Sequence, residues 1–438
     1  MVRTSQKFSF QDITGFKNAI LEWSRQFEEV VWLDSNKYHQ KYTAYDAVLA
    51  VEAFTAIKTS AHGAFERLQE YQESTADWLF GYLSYDLKND VEALSSENHD
   101  GLHFPDLYFF QPKKLFLFKD DEVEVQYLRM VDDEIEEDLE EIKKLGAQKG
   151  QNQKALNKPI KLKPRIPKEE YLVKVIHLLG HIQRGDIYEA NFCQEFFAED
   201  AEIEPLQVYR DLNAISNPPF AAFVKLDRSY IMSASPERYL QKKGSEIISQ
   251  PIKGTAPRAK DLKEDQRLAK ALEKDPKEHS ENVMIVDLVR NDLSKVAKKG
   301  SVMVEELCKV YSFEQVHQMI STVKAQLAPG IPAVEVVKST FPMGSMTGAP
   351  KVMAMKLIEE LEESKRGVYS GAIGYFTPQA DFDFNVVIRS ILYNEAEKYV
   401  SFSVGGAITA KSYPEKEYEE CLVKAKALRQ VLENRNPQ

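Results

Sequence analysis

Cysteine is scarce in this chain: Cys193, Cys308 and Cys421 stand far apart in 438 residues, with no CxxC pair. An odd count at that spacing suits a reducing compartment. It excludes a disulfide framework and a cysteine zinc site, and leaves packing as their role. None of the eight histidines has metal-ligand spacing, and no Ser-His-Asp arrangement points to a hydrolase. No stretch approaches the 18 apolar residues that span a bilayer, and the N-terminal MVRTSQKFSF lacks the unbroken apolar segment of a secretion signal. A cytoplasmic protein is expected. Basic excess is missing too: 68 acidic against 57 basic residues give a formal charge of -11, which repels nucleic acid and anionic membrane. Neither is expected as a partner. What the chain does have is 43% hydrophobic residues, ample for a buried core, and a length that fits two to three domains or one large body with a smaller companion.

The run DDEIEEDLEEIKK, Asp132 to Lys144, reads as a charge-dense helix, and the Lys-, Gln-, Gly- and Pro-rich segment after it reads as a linker. This divides the chain into an N-terminal region, 1–165, with the linker at about 145–165, and a second region, 166–438. In the first, VVWLD, WLFGYLSYDL, FPDLYFF and KLFLF have the aromatic and β-branched texture of short strands. The second opens with PKEEYLVKVIHLLGHIQRGD, whose Leu172, Val175, Ile176 and Leu179 outline an amphipathic helix. FAAFVKL, YIMSASP, RYLQKK and EIISQPIKG then follow one another through short turns, which means an antiparallel sheet. Helices are expected at about 276–290, 350–363 and from Pro414, with GAIGYFT, DFNVVIRSILY and YVSFSVGG as strands before the last.

Five features bear on chemistry. In QPIKGTAPR, Lys253 lies among Pro251, Gly254 and Pro257, residues that restrict or sharply bend the backbone and so suit a side chain held in one place; a solvated lysine at a strand end is the bland alternative. Glu278 and Glu281, and again Glu417 and Glu420, stand three apart on expected helices, so each pair shares a face and can aim two carboxylates at one hard cation such as Mg²⁺; two solvated acidic faces would have the same pattern. FPMGSMTGAPK leads into a helix N-terminus able to receive a carboxylate or phosphate, although its glycine spacing is not that of a Walker A loop and capping alone accounts for it equally well. Glu237 in SPERYL could act as an acid, and Arg389 within apolar FNVVIRS needs an anionic partner, from the protein or from a ligand.

Taken in order, SPERYL, PIKGTAPR, ENVMIVDLVRNDLSKVA, FPMGSMTGAPKVMAMKLIEELE, YSGAIGYF, FNVVIRS, GGAIT and EYEECLVKAKAL resemble the motifs of the chorismate-utilising enzymes over about residues 166–432, with a weaker likeness in VVWLDS and GYLSYDL. The lysine of PIKGT resembles the branch that forms 4-amino-4-deoxychorismate on the way to para-aminobenzoate and folate; anthranilate-forming members usually carry alanine there. The resemblance implies an α/β (α+β) fold of large antiparallel sheets sandwiched between helices, with 166–438 as the chorismate-binding catalytic region. It implies that Lys253 adds to C2 of the ring as the C4 hydroxyl leaves, that ammonia then displaces it at C4, and that Glu237 is the general acid. By the same resemblance, Glu281 and Glu420 ligate Mg²⁺, and Glu278 and Glu417 act through water. Tyr369, Arg389, Gly405 and Gly406 grip substrate carboxylates, and Thr347 and Thr255 complete the substrate-binding set.

The lysine role carries a condition: with an ordinary pKa near 10.4, only about one lysine in a few thousand is neutral at pH 7. Desolvation, or transfer of its proton to a neighbour, has to raise that fraction. Three positions depart from the family pattern. Gln318 stands where most relatives have an active-site histidine, Ala407 replaces a usual glycine, and Glu189 occupies the place of a glutamine in the amino-transferring members and of a lysine base in the isochorismate and salicylate synthases. Lack of that lysine argues against water as the nucleophile. No cysteine lies in a GxCxGxQ-like turn, so ammonia is expected from a separate glutamine amidotransferase subunit, with free ammonium substituting in vitro. Anthranilate synthase component I and a noncatalytic chorismate-binding regulatory subunit remain the alternatives.

Overall fold

Strands Glu29–Asp34 and Ala47–Thr59 show how the sheets are built. Alternate side chains of a strand point to opposite faces. Here Val31, Val48 and Ala50 enter one apolar core while Val30, Trp32, Ala47, Leu49 and Val51 enter another. Both faces are covered, which is why VVWLD and its partner read as continuous apolar runs. The computed structural model describes residues 2–38, 41–147, 160–313 and 316–433. Among them, 20 strands join in one hydrogen-bonded system.

One wing runs from Glu189–Ala198 through Tyr399–Thr409, Ser390–Asn394, Ser229–Ser235 and Phe220–Leu226 to Glu29–Asp34 and Ala47–Thr59, every pair antiparallel. Ala47–Thr59 pairs along its length with Leu107–Lys119, which starts the other wing. That wing continues through Leu79–Leu83, Ala372–Phe376, Phe382–Val386, Arg238–Lys243 and Glu246–Gln250 to Val316–Gln326. The strands of 1–165 therefore lie inside the same sheets as those of 166–438. Most of the linker read at 145–165 falls outside the described residues. Among those described, no helix is long and apolar enough to cross a membrane.

Several boundaries differ from the sequence reading. FPDLYFF and KLFLF form one strand, Leu107–Lys119, that runs through Pro112. It does so because the partner strand is bulged between Ala53 and Thr55, opposite Pro112, where the ladder is already irregular and the missing N–H costs little. DFNVVIRSILY is two strands, Phe382–Val386 and Ser390–Asn394, so Arg389 sits in the break between them. In the helix Lys168–Arg184, Ile176 is exposed and Tyr171 takes the inner position, packing its ring on Phe192 and Tyr418. The helix Lys351–Leu361 buries Ala354, Leu357, Ile358 and Leu361, as its spacing requires.

Candidate active site

Pro251 ends the strand Glu246–Gln250, and the chain restarts as Ile252–Pro257. Lys253 is therefore inside a second strand, and not at the end of the first as EIISQPIKG suggested. Its pairing with Val316–Gln326 shifts between Ile252 and Thr255, which leaves Lys253 and Gly254 in a bulge. Gly254 has φ +88°, and a Cβ there would lie 3.1 Å from Glu278 Oε2, so glycine alone lets the strand bend this close to the carboxylate. The bend directs Lys253 inward. Its Nζ donates to Glu189 Oε1 at 2.9 Å, and the glutamate is only 1% exposed. Burial alone would pull the lysine pKa down, but Glu189, Glu281 and Glu237 outweigh it and carry it above the ordinary value. The ammonium form is thus held until its proton has somewhere to go.

Glu237 is buried just before the strand Arg238–Lys243, and the Ser345 hydroxyl donates to its Oε1 at 2.6 Å. Burial pushes the carboxyl up to about 7, against the opposing pull of Ser345 and Lys253. Ser345 comes from the FPMGSMTGAPK loop, whose shape is kept by contacts that sequence reading missed. Arg366, buried, donates to Met346 O at 2.7 Å, to Asn191 O at 2.7 Å and to Glu362, while Glu362 accepts the Cys193 N–H. A buried cation at four residues from a buried acid, Glu362 to Arg366, was the available signal. Lys351 ties the loop's other end to Asp292, Thr340 O and Pro342 O.

The two glutamate pairs face each other from the helices Pro276–Ser294 and Pro414–Glu433. Asp275 caps the first by accepting from the N–H groups of Lys277 and Glu278, which orients its first turn. Lys277 Nζ lies 3.8 Å from Glu281 Oε1 and 3.9 Å from Glu417 Oε1, between the two helices. Burial raises Glu281 to about 7 and raises Glu278 and Glu417 as well. At Glu420 the same burial is more than offset by Lys424, 2.7 Å away, and the carboxyl falls below its ordinary value.

Glu281 Oε1 and Glu417 Oε2 are buried without a hydrogen-bond partner among the described residues. A Cβ on Gly406 would come to 3.3 Å from both Glu417 Oε2 and Glu420 Oε1, so the glycine leaves the space in front of those oxygens clear. All donors are oxygen. This set fits a hard divalent cation, although the four carboxylates stand wider than one coordination sphere: among the described residues, the trio with ligand atoms within 4.8 Å is Glu28, Glu29 and Asp227, a largely exposed cluster.

The expected substrate-binding residues divide into two sets. Arg389 takes a left-handed φ of 51° in the strand break and its carbonyl accepts from the Ala234 N–H, while its guanidinium faces Glu237 electrostatically and has no hydrogen bond or ion pair among the described residues. Burial lowers its pKa, the response of a cation awaiting an anion. Gly405 is required by packing, since a Cβ would meet Phe192 O at 2.3 Å; its own carbonyl accepts from Lys424. Three others are less available. The Tyr369 hydroxyl is buried 3.5 Å from Cys193 Sγ, the Thr347 hydroxyl donates to Met343 O and Gly344 O within its loop, and Thr255 is exposed. Gln318 is buried with its Oε1 unpartnered among the described residues, while His317 is engaged by Ser312 and Asp265.

Comparison with known proteins gives a consistent picture. Residues 28–430 match the chorismate binding enzyme family. The chain is 34% identical over 373 residues to an anthranilate synthase component I-like protein from Synechocystis sp., covering 84% of this chain and 75% of that one. It is 40% identical over 267 residues to aminodeoxychorismate synthase component 1 from Klebsiella aerogenes, covering 61% of this chain and 58% of that relative. Among solved structures, anthranilate synthase component I from Streptococcus pneumoniae superposes with a TM-score of 0.77 at 26% identity, over 90% of this chain and 95% of that one.

Proposed function

The chain belongs to the chorismate-binding enzyme family, and within it we propose that this enzyme aminates chorismate with ammonia to 4-amino-4-deoxychorismate, the precursor of para-aminobenzoate. The observation that carries the reading is Lys253, an amine turned inward by a strand bulge, beside a buried Glu237 whose carboxyl titrates at about 7.

In this reading the Nζ lone pair bonds to C2 of the ring while the C4–O bond breaks, and Glu237 protonates the departing oxygen so that water leaves. Ammonia then bonds to C4, the C2–Nζ bond breaks, and the lysine is restored. Arg389 supplies an unpartnered guanidinium for a substrate carboxylate. Glu281 and Glu420, with Glu278 and Glu417 through water, would hold Mg²⁺, which when bound neutralises and polarises the ring carboxylate. All three cysteines are buried, so none is presented as a glutaminase nucleophile, and this supports ammonia arriving from a separate glutamine amidotransferase subunit.

A second reading, anthranilate synthase component I, is favoured by the relative that aligns with the larger share of the chain. Mass spectrometric product analysis with chorismate, Mg²⁺ and excess ammonium separates the two. Aminodeoxychorismate from the wild type, and its loss in Lys253→Ala, is the expected result. Anthranilate would select the second reading. Chorismate binding without any product would leave a regulatory subunit.

A further inference from the structure

Glu189 has no role in the steps above, yet it makes the one ion pair of Lys253 Nζ among the described residues. Its backbone is held on both sides, paired with Thr409 across one ladder and with Ala349 across the other. The fit is tight enough that a Cβ on Gly348 would lie 2.1 Å from Glu189 O. One carboxylate oxygen accepts from the lysine at 2.9 Å, and the other is buried with no partner among the described residues. A carboxylate fixed in this way cannot turn to solvent, and the lysine is the group it can exchange a proton with.

We infer that Glu189 is the proton acceptor that converts the Lys253 ammonium into the attacking amine, an inference that rests on the reading of Lys253 as the nucleophile. One N–H bond of the ammonium breaks and its proton bonds to Glu189 Oε1. The freed lone pair forms the Nζ–C2 bond, and the C4–O electrons leave on the oxygen protonated by Glu237. The adduct nitrogen is then a secondary ammonium, and Glu189, already protonated, does not discharge it. That nitrogen leaves as a neutral amine when ammonia bonds to C4, and takes its proton back from Glu189, which restores the pair; Glu237, left as a carboxylate, regains its proton from the new C4 ammonium or from solvent. The other charged groups facing this pair are Glu281 and Glu278 from the helix Pro276–Ser294, Glu237 from the segment just before the strand Arg238–Lys243, and Glu420 from the C-terminal helix. Of these, Glu189 alone lies within hydrogen-bond distance of Nζ. A glutamine, as in the amino-transferring relatives, could orient the ammonium but could not receive its proton.

The test follows the Lys253 adduct by quenched-flow intact-mass analysis in the full chain, with chorismate and Mg²⁺ but no ammonium, from pH 6.5 to 10. The ratio of the Glu189→Gln rate to the wild-type rate cancels the contribution of Glu237. That ratio is expected near one in a hundred or lower at pH 7, the usual worth of a general base, and should climb about tenfold per pH unit toward the lysine's own titration. Glu189→Asp, which keeps a carboxylate, should give a ratio that does not change with pH. A Glu189→Gln ratio near one, or one depressed equally at every pH, overturns the proton-acceptor role. Glu189→Ala carries the same expectation should the glutamine variant not fold. If the wild type makes aminodeoxychorismate without any Lys253 adduct, the nucleophile reading itself fails, and this is seen before any Glu189 variant is compared.

Discussion

Replacing Glu237 with glutamine keeps its shape and a contact for Ser345 while removing the proton that the proposed mechanism gives to the leaving hydroxyl. The structure sets the size of the effect. The carboxyl is raised from 4.5 to about 7. Roughly half is then protonated at pH 7, against about 0.3% for an unshifted glutamate, a reservoir of acid about 150-fold larger. A positioned acid contributes about 10²- to 10⁴-fold, so Glu237→Gln should lower kcat by that factor and leave KM for chorismate within about threefold. In the wild type, kcat should fall about tenfold per unit above pH 7 as the acid ionises.

The assay is initial-rate formation of aminodeoxychorismate from pH 6 to 9.5 at constant free ammonia, so that ammonium titration does not enter. The same shift affects stability. The folded pKa lies above the unfolded one, so stability is fully present below about 4.5 and is lost as pH rises through 7, to a ceiling of about 3 kcal/mol. Glutamine has no charge to bury, and the variant should melt higher than the wild type at pH 8. A variant with more than a tenth of wild-type activity, or a wild-type rate that does not change between pH 7 and 9, would refute the assignment of the acid.

Glu281 titrates near 7 for the same reason, so Glu281→Gln should melt higher than the wild type at pH 8 in chelator. Mg²⁺ should raise the Tm of the wild type and not that of the variant, and an undiminished Mg²⁺ response in the variant would show that Glu281 is not a ligand. Arg389→Met should raise KM for chorismate about 10- to 100-fold, the worth of a charge-assisted contact to a carboxylate. Its Tm should not fall, because the cation removed is partly buried and its guanidinium has no hydrogen bond or ion pair among the described residues. A KM within twofold of wild type would exclude Arg389 from the substrate site.

Local pattern was legible where it is decided locally. Ala354, Leu357, Ile358 and Leu361 are buried because a helix of that spacing has one inner face, and the helix from Pro414 begins at that proline. Features decided by a distant partner were not legible. Leu107–Lys119 passes through Pro112 because of a bulge more than fifty residues away, near Ala53, and a reader of the sequence breaks the strand there. Arg389 was taken for a strand residue because its neighbours are apolar, but the strand ends where the chain crosses from Arg238–Lys243 to Ser229–Ser235 as its partner.

The candidate site shows the same division. Glu278 and Glu281 are neighbours by helical spacing, and their pairing could be read directly. The contact between Lys253 and Glu189 spans 64 residues and two strands that do not pair with each other, so it depends on the order of strands in the sheet. Ser345 reaches Glu237 across 108 residues for the same reason. Sequence spacing can therefore propose which residues carry the chemistry, while the protonation state of each depends on contacts made by the fold. Pro251 and Gly254 link the two. They break and bulge one strand, and that bend sets the lysine beside the carboxylate that keeps it in the ammonium form in the resting site.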